Sequence, residues 1–203
     1  MKLKLMTLLA GLVISSSIFG QRVFNKSYKL EKESFKVSLI PILSEYDSFN
    51  DTVMSEIFIN NLKNVELATP SETRKAISAN QKIQDILDKI ILANYKKKEL
   101  KTFPNLTTLL NPSEVEYLRD QLGQPDFILI PIVFNFRSMM AHTFGYSKFR
   151  FYNLNSGEFV FEFSLNMNIN VVGEGGMKDL MYVLLQETHK YYVTEFLKKY
   201  GIK

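Results

Sequence analysis

The segment that most constrains the fold is the stretch of residues 158–172, in which apolar and polar residues alternate almost without interruption. This alternation predicts a β-strand with one buried and one solvated face. Asn155-Ser156-Gly157 stands just before the strand and, with the β-rich residues 147–154, predicts a β-hairpin. The polar series, which includes Glu158 and Glu162, is interpreted as solvated. The apolar series, interrupted only by Val160 among the polar positions, consists of Phe159, Phe161, Phe163, Leu165, Met167, Ile169 and Val171.

The remainder of the chain predicts an α/β arrangement. Apolar runs predict strands over residues 36–43, 65–68 and 126–136, and apolar residues at helical spacing predict helices over residues 50–62, 70–91, 112–122 and 177–200. The order is β-α-β-α-α-β-β-β-α. We therefore expect a single α/β domain, with a mixed β-sheet flanked by helices and a long C-terminal β-hairpin.

Two helix starts share the same layout of capping residues. Thr69-Pro70-Ser71-Glu72 and Asn111-Pro112-Ser113-Glu114 both place a cap residue first, proline at the first helical position and glutamate at the third. This layout is typical of a capping box, in which the cap and the acid satisfy backbone N–H groups left free at a helix start. Gly123 follows the second helix at the position where a left-handed residue ends a helix.

The first twenty residues have the layout of a secretory signal peptide. Lys2 and Lys4 precede a short apolar run over residues 5–14, and small residues follow up to Gly20. Cleavage is expected just before Gln21. The predicted organisation is therefore a signal peptide over residues 1–20, an N-terminal arm over residues 21–35 and an α/β domain over residues 36–203. This organisation predicts a soluble periplasmic or secreted protein.

The composition removes several classes of chemistry. The chain has no cysteine, which excludes disulfides, thiolate metal sites, a cysteine nucleophile and lipidation at an N-terminal cysteine. His142 and His189 are its two histidines, and no nucleotide-loop, hydrolase or metalloprotease motif occurs. Gly173-Glu174-Gly175-Gly176 lacks the lysine of a phosphate loop and is interpreted as a turn. We expect no catalytic, cofactor or metal site, although an enzyme of unrecognised type could assemble its residues from distant segments.

The charge balance also bears on the partner. Lys and Arg total 25 against 21 Asp and Glu, and removal of the signal peptide takes away two lysines and no acids. The remaining formal charge of about +2 is too small and too dispersed for phosphate recognition. Nucleic acid is therefore not expected as a partner.

A predicted loop over residues 138–146 is unusually apolar for a connection. Met139, Met140, Phe144 and Tyr146 lie within it. If exposed, these side chains would form a contact surface for a protein or a membrane; if folded back, they would cap the core. They are the candidate partner-contact residues.

With these segments placed, the chain resembles the CsgG family of curli-secretion lipoproteins. The similar segments, which lie at intervals between residues 36 and 167, are KVSLIPIL, VELATPSETRKAI, LNPSEVEYLRDQLGQPDFILIPIV and FRFYNLNSGEFVFEFSLNM. The activator LpoB and the N-terminal domain of TolB are similar in architecture. The resemblance implies a non-enzymatic envelope protein that works by contacting partners or by self-association. Unlike the secretion-channel members, this chain has no cysteine for lipidation.

The leading expectation is an exported soluble envelope protein that acts as a binding or assembly module through protein–protein contacts. The long alternating strand also fits a membrane-docked or pore-forming oligomer related to secretion channels. The enzyme of unrecognised type is the third alternative.

Overall fold

The computed structural model describes residues 17–30, 34–41, 65–68, 70–95, 104–139 and 142–169, together with positions 183 and 199. The described residues form six strands and four helices. The strands are β1 (Ser17–Phe24), β2 (Phe35–Leu39), β3 (Val65–Ala68), β4 (Phe127–Met139), β5 (His142–Asn153) and β6 (Phe159–Ile169). The helices are α1 (Pro70–Ser78), α2 (Gln81–Tyr95), α3 (Leu106–Leu109) and α4 (Pro112–Gln121). The predicted helix over residues 50–62 and the turn at residues 173–176 lie outside the described residues, as does the predicted helix over residues 177–200 apart from positions 183 and 199.

The six strands form one mixed sheet in the order β1-β6-β5-β4-β2-β3. β2 runs parallel to β3 and β4, whereas β4, β5, β6 and β1 pair antiparallel in succession. The predicted α/β class, mixed sheet and C-terminal hairpin are confirmed. β1 was not predicted as a strand, and it continues across the expected cleavage position between Gly20 and Gln21.

The helices cover one face of the sheet, which we call the helix face. Ile83, Ile86 and Ile90 of α2 are buried against Ile128 and Ile130 of β4 in a single apolar cluster. The 3–4 spacing of isoleucines along α2 gives a continuous stripe, and alternate residues of β4 point toward it. This cluster is the core that fixes the position of α2 on the sheet.

The predicted helix over residues 70–91 is two helices, α1 and α2, separated at Ala79 and Asn80. The side chain of Asn80 accepts a hydrogen bond from the backbone N–H of Ile83, at 3.4 Å. Asparagine favours a cap over a helix interior because its side chain competes for backbone groups. The apolar stripe predicted for this segment nevertheless remains buried across the break.

The capping box at the start of α4 is confirmed. The Asn111 side chain accepts from the backbone N–H of Glu114 at 2.9 Å, and the Glu114 carboxylate accepts from the backbone N–H of Asn111 at 3.0 Å. Gly123, just past the end of α4, has φ 78°, as expected of a left-handed helix-ending residue. Thr69, the corresponding cap of α1, lies outside the described residues.

Aromatic rings dominate the face of the sheet opposite the helices. Phe127 stacks on Phe151 with centroids 4.9 Å apart, and Phe151 lies 5.3 Å from Phe161 on the next strand. Phe149 and Phe163 form a further stacked pair, at 5.5 Å. Such cross-strand pairs stabilise the sheet beyond the burial of their area. All five rings are buried.

Two irregularities of the sheet change which way side chains point. The β4–β5 register shifts between Pro131 and Val133, where proline supplies no N–H to the ladder. The β5–β6 register shifts so that Phe161 pairs with Phe151 but Phe159 pairs with Tyr152. The prediction that Phe159 and Phe161 share a face is therefore wrong. The extra residue of the bulge places Phe159 in the helix-side cluster.

Most of the predicted loop over residues 138–146 is strand. β4 continues to Met139 and β5 begins at His142, with continuous pairing between them from Phe134–Ser147 to Met139–His142. Residues of this part of β5 also pair with β6, as Phe144 does with Asn168. This part of β5 is therefore paired on both edges, which explains why apolar and aromatic residues occur in a segment that was predicted to be a loop.

Candidate functional site

Four cross-strand rows lie one after another along the helix face of β4, β5 and β6. Residues directly opposite each other on antiparallel strands point to the same face, so the register defines each row. Every row therefore contains one residue from each strand. The rows, from the turn outward, are Ile130–Arg150–Glu162, Val133–Lys148–Ser164, Asn135–Tyr146–Asn166 and Arg137–Phe144–Asn168.

The first row contains a buried ion pair. Arg150 Nε lies 2.5 Å from Glu162 Oε2, and the two residues are 1% and 7% exposed. Lys148 Nζ approaches the other carboxylate oxygen, Oε1, at 3.9 Å. A buried charge is tolerated only when it is paired and hydrogen-bonded, and each member of this pair satisfies the other. The interpretation of Glu162 as a solvated strand residue is therefore wrong.

An asparagine on α2 links this ion pair to the helix layer. The Arg150 guanidinium donates to Asn94 Oδ1, while Asn94 Nδ2 donates to the Ile90 carbonyl at 2.7 Å and to the Tyr152 hydroxyl at 3.1 Å. Burial raises the pKa of Tyr152 to about 12, because the phenolate would be desolvated there, and the nearby Arg150 only partly offsets this. We call Asn94, Arg150, Tyr152 and Glu162 the buried polar network.

This network fixes structure and is closed to solvent. All four residues are buried, and their polar groups are directed at one another, at the α2 backbone or, for Glu162, at Lys148. Sequence reasoning missed the network, although Arg150 and Glu162 stand symmetrically on either side of Ser156 in the predicted hairpin, and this symmetry places them opposite each other.

The last two rows form an exposed surface, which we call the distal face. It consists of Asn135, Arg137, Phe144, Tyr146, Asn166 and Asn168. Phe144 is 39% exposed and Tyr146 is half-buried, while Asn135, Arg137 and Asn166 are exposed. An aromatic ring is thus presented to solvent among uncharged amides and one guanidinium. Aromatic and arginine side chains are the types enriched at protein–protein contacts.

The candidate contact residues are distributed as follows. Phe144 and Tyr146 lie two residues apart on β5 and share the distal face. Met139 is the last residue of β4, and its side chain is not among those described. Met140 lies outside the described residues. The structure therefore brings together the two aromatic members of the predicted set.

A cleft of about 430 Å³ lies near the β5–β6 turn, between Tyr28 and the start of β4. Its polar groups hold the turn. Asp126 accepts from the Lys36 N–H and from Asn155 Nδ2, both at 3.0 Å. Asn153 accepts from two backbone N–H groups of the turn and donates to the Tyr28 hydroxyl at 2.7 Å. The polar groups that line the cleft are therefore engaged in stabilising the turn.

Two kinds of feature are absent from the described part of the chain. Among these residues, no group of three or more histidine, aspartate or glutamate side chains is placed to hold a metal ion. None of the helices there is both long enough and apolar enough to cross a membrane.

Comparison with known proteins gives structural likenesses only. No family model and no curated protein matches the chain. The PelC dodecamer from Paraburkholderia phytofirmans is similar with a TM-score of 0.42 and 9% identity, covering 83% of this chain and 94% of that one. Lipoprotein GNA1162 from Neisseria meningitidis is similar with a TM-score of 0.39 and 10% identity, covering 76% of this chain and 96% of that one. At TM-scores this low, the likenesses carry no argument about the present chain.

Proposed function

We propose that the protein is an exported, non-enzymatic binding or assembly module of the cell envelope that acts through protein contact at the distal face. The exposure of Phe144 carries this proposal. Its ring is 39% exposed in the middle of a three-stranded row, between Arg137 of β4 and Asn168 of β6. A partner surface that covers the exposed part of the ring would remove apolar area from water.

Three further observations support the same function. The predicted signal peptide directs the chain out of the cytoplasm, into the periplasm or the medium. The buried polar network is fully engaged in holding α2 on the sheet, which leaves the charged groups at the centre of the domain without a catalytic task. The segments that resemble the CsgG family favour an envelope protein that works by association.

The test uses two exposed apolar residues of the same chain. Phe144→Ser removes the exposed ring of the distal face, and Leu92→Ser is the matched control, because Leu92 is 52% exposed on α2. Both variants should give the circular dichroism spectrum of the parent. We expect Phe144→Ser to lose the specific partner retained from an envelope extract by the immobilised protein, or to lose self-association in size-exclusion chromatography, and Leu92→Ser to keep it.

Flotation with vesicles of neutral and anionic lipid separates this proposal from membrane docking. A protein that acts through protein contact stays in the soluble fraction with both lipids. Flotation that depends on Phe144 would contradict the proposal and favour the membrane-docked oligomer. Equal partner retention by both serine variants would also contradict it.

A further inference from the structure

β1 pairs along the edge of β6 from Ser17 to Phe24, and the precursor and the predicted mature chain differ in the first half of this strand. Ser17, Ile18, Phe19 and Gly20 pair with β6 from Asn168 back to Leu165, and residues 21–24 pair with the remainder of the strand. The expected cleavage falls between Gly20 and Gln21, in the middle of β1. Cleavage there removes the half of β1 that lies beside the distal face and keeps the half beside the buried polar network.

The β6 edge uncovered in this way lacks the sequence features that keep natural edge strands from pairing. Natural edge strands carry lysine, proline or inward charges that prevent pairing with another chain. From Leu165 to Asn168, β6 has no proline and no charged side chain. At the opposite edge of the sheet, β3 presents the exposed Glu66, which pairs with Lys36 at 3.2 Å.

We infer that removal of residues 1–20 frees this edge of β6 and that a second copy of the chain pairs its own β6 with it, antiparallel about a twofold axis. The inference rests on the proposed function, in which the exported protein acts by association, and adds a second contact beside the distal face. The edge already accepts an antiparallel strand in register, because β1 occupies it in the precursor chain. After cleavage, another strand restores the same backbone hydrogen bonds.

The sequence of β6 favours a copy of itself as that strand. A twofold axis perpendicular to the sheet places residues of equal parity opposite each other, so the faces of both copies stay aligned. With the pair centred on Met167, this residue meets its own copy on the aromatic side, and Asn166 of each copy meets Asn168 of the other on the helix face. No like charges oppose each other, and such opposition would destabilise the pair.

Pairing would also join the two distal faces. Asn166 and Asn168 end the two rows of the distal face on the β6 side, next to the freed edge. The dimer would therefore carry one continuous surface with Phe144 and Tyr146 from each copy. In the precursor, the first half of β1 blocks this assembly until export is complete.

Because the chain has no cysteine, introduced cysteines report this pairing without background. Directly opposed residues of antiparallel strands have Cα atoms about 4.5–5.5 Å apart, within the range of a disulfide. The exported protein is purified with Asn166→Cys, Asn168→Cys or both, and its N-terminus is identified by mass spectrometry. We expect an N-terminus at Gln21 and disulfide-linked dimer from at least one of these variants.

Two controls accompany the experiment. Asn135→Cys places an equally exposed cysteine on the distal face but on β4, away from the freed edge, and should stay monomeric. Gly20→Val removes the small residue before the cut and should leave β1 intact. In that background, cysteine at position 166 or 168 should not crosslink.

Equal crosslinking from Asn135→Cys, crosslinking in uncleaved protein, or an exported protein that keeps Met1 would overturn the inference. A mature protein that begins at Gln21 and sediments as a monomer would do so as well. If that monomer still retains an envelope partner through Phe144, the proposed function stands and only the self-pairing fails.

Discussion

At the helix-covered end of β4, β5 and β6, Arg150 and Glu162 are buried against each other, whereas at the distal end of the same strands Arg137 and Asn166 lie at the surface. All four residues point to the same face of the sheet. Among the described helices, α2 packs over the first end, where its Asn94 reaches Arg150, so the difference between the two ends arises from α2. Alternation therefore predicts which face of the sheet a polar residue occupies. The layer that packs on that face determines whether the residue is buried.

This contrast assigns different tasks to the two ends. At the covered end, every polar group of the buried polar network has a partner within the fold, and its removal should alter stability. At the distal end, polar and aromatic groups meet solvent, and their removal should alter binding with little effect on stability.

The largest effect is expected from Arg150→Leu. The substitution leaves the Glu162 carboxylate buried without its main partner and removes the donor to Asn94. Breaking a buried pair in this way costs about 3–5 kcal/mol. We expect a loss of that size in the free energy of unfolding, measured by urea denaturation with an unchanged slope.

The matched control is Arg137→Leu, at an exposed position of the distal face. It should change the free energy of unfolding by less than about 0.5 kcal/mol. The double variant Arg150→Leu/Glu162→Leu should recover most of the loss, because it removes both buried charges. Similar losses from the two single arginine variants would remove the distinction between the two ends.

The next effect is a loss of stability in alkali caused by Tyr152. Burial raises its pKa from 10 to about 12, so the folded state holds the phenolic proton more tightly than the unfolded chain. The stabilising contribution is complete below pH 10 and is lost as the pH rises toward 12, by up to about 2 kcal/mol. The free energy of unfolding, measured by urea denaturation at several pH values in this range, should fall more steeply with pH for the parent than for Tyr152→Phe. Parallel curves would contradict burial as the cause.

At the covered end, the sequence predicted the secondary-structure elements but not the contact between α2 and the buried ion pair. Periodic isoleucines predicted the stripe of α2, and the continuous apolar run of β4 predicted a central strand, because burial dictates both patterns. The pairing of Arg150 with Glu162 follows from a hairpin centred on Ser156, but the approach of Asn94 depends on how α2 docks. Docking is a tertiary event that no local pattern records.

Two other features escaped prediction for separate reasons. The face of Phe159 depends on a bulge, and one extra residue reverses the alternation on which the prediction relied. β1 was hidden because residues 17–20 belong to the predicted signal peptide, whose small and apolar residues read as a targeting signal. At the distal end, Phe144 and Tyr146 were selected for their apolar character, although they were expected in a loop.

A small effect on stability is expected from Phe144→Ser, in contrast to its effect on binding. The ring is 39% exposed, so its removal loses less buried apolar area than removal of a core phenylalanine would. We expect a loss of about 1 kcal/mol in the free energy of unfolding, measured by urea denaturation. A loss of several kcal/mol would mean that the ring is part of the core and would remove the basis of the distal face.

The smallest effect compares the buried ion pair with an exposed one. Glu114 pairs with Lys89 and accepts from the backbone N–H of Asn111, and these two hydrogen bonds lower the pKa of its carboxyl below 4.5. The contribution of this carboxylate to stability is present above pH 4.5 and is lost as the pH falls through the lowered pKa.

Glu114→Gln keeps an acceptor for the capping box but removes the charge. We expect a loss of about 0.3 kcal/mol at neutral pH and a weaker acid dependence than the parent, measured by urea denaturation at low and high salt, because exposed pairs are hydrated and screened. A loss as large as that of Arg150→Leu would show that hydration of an ion pair does not determine its contribution to stability in this domain.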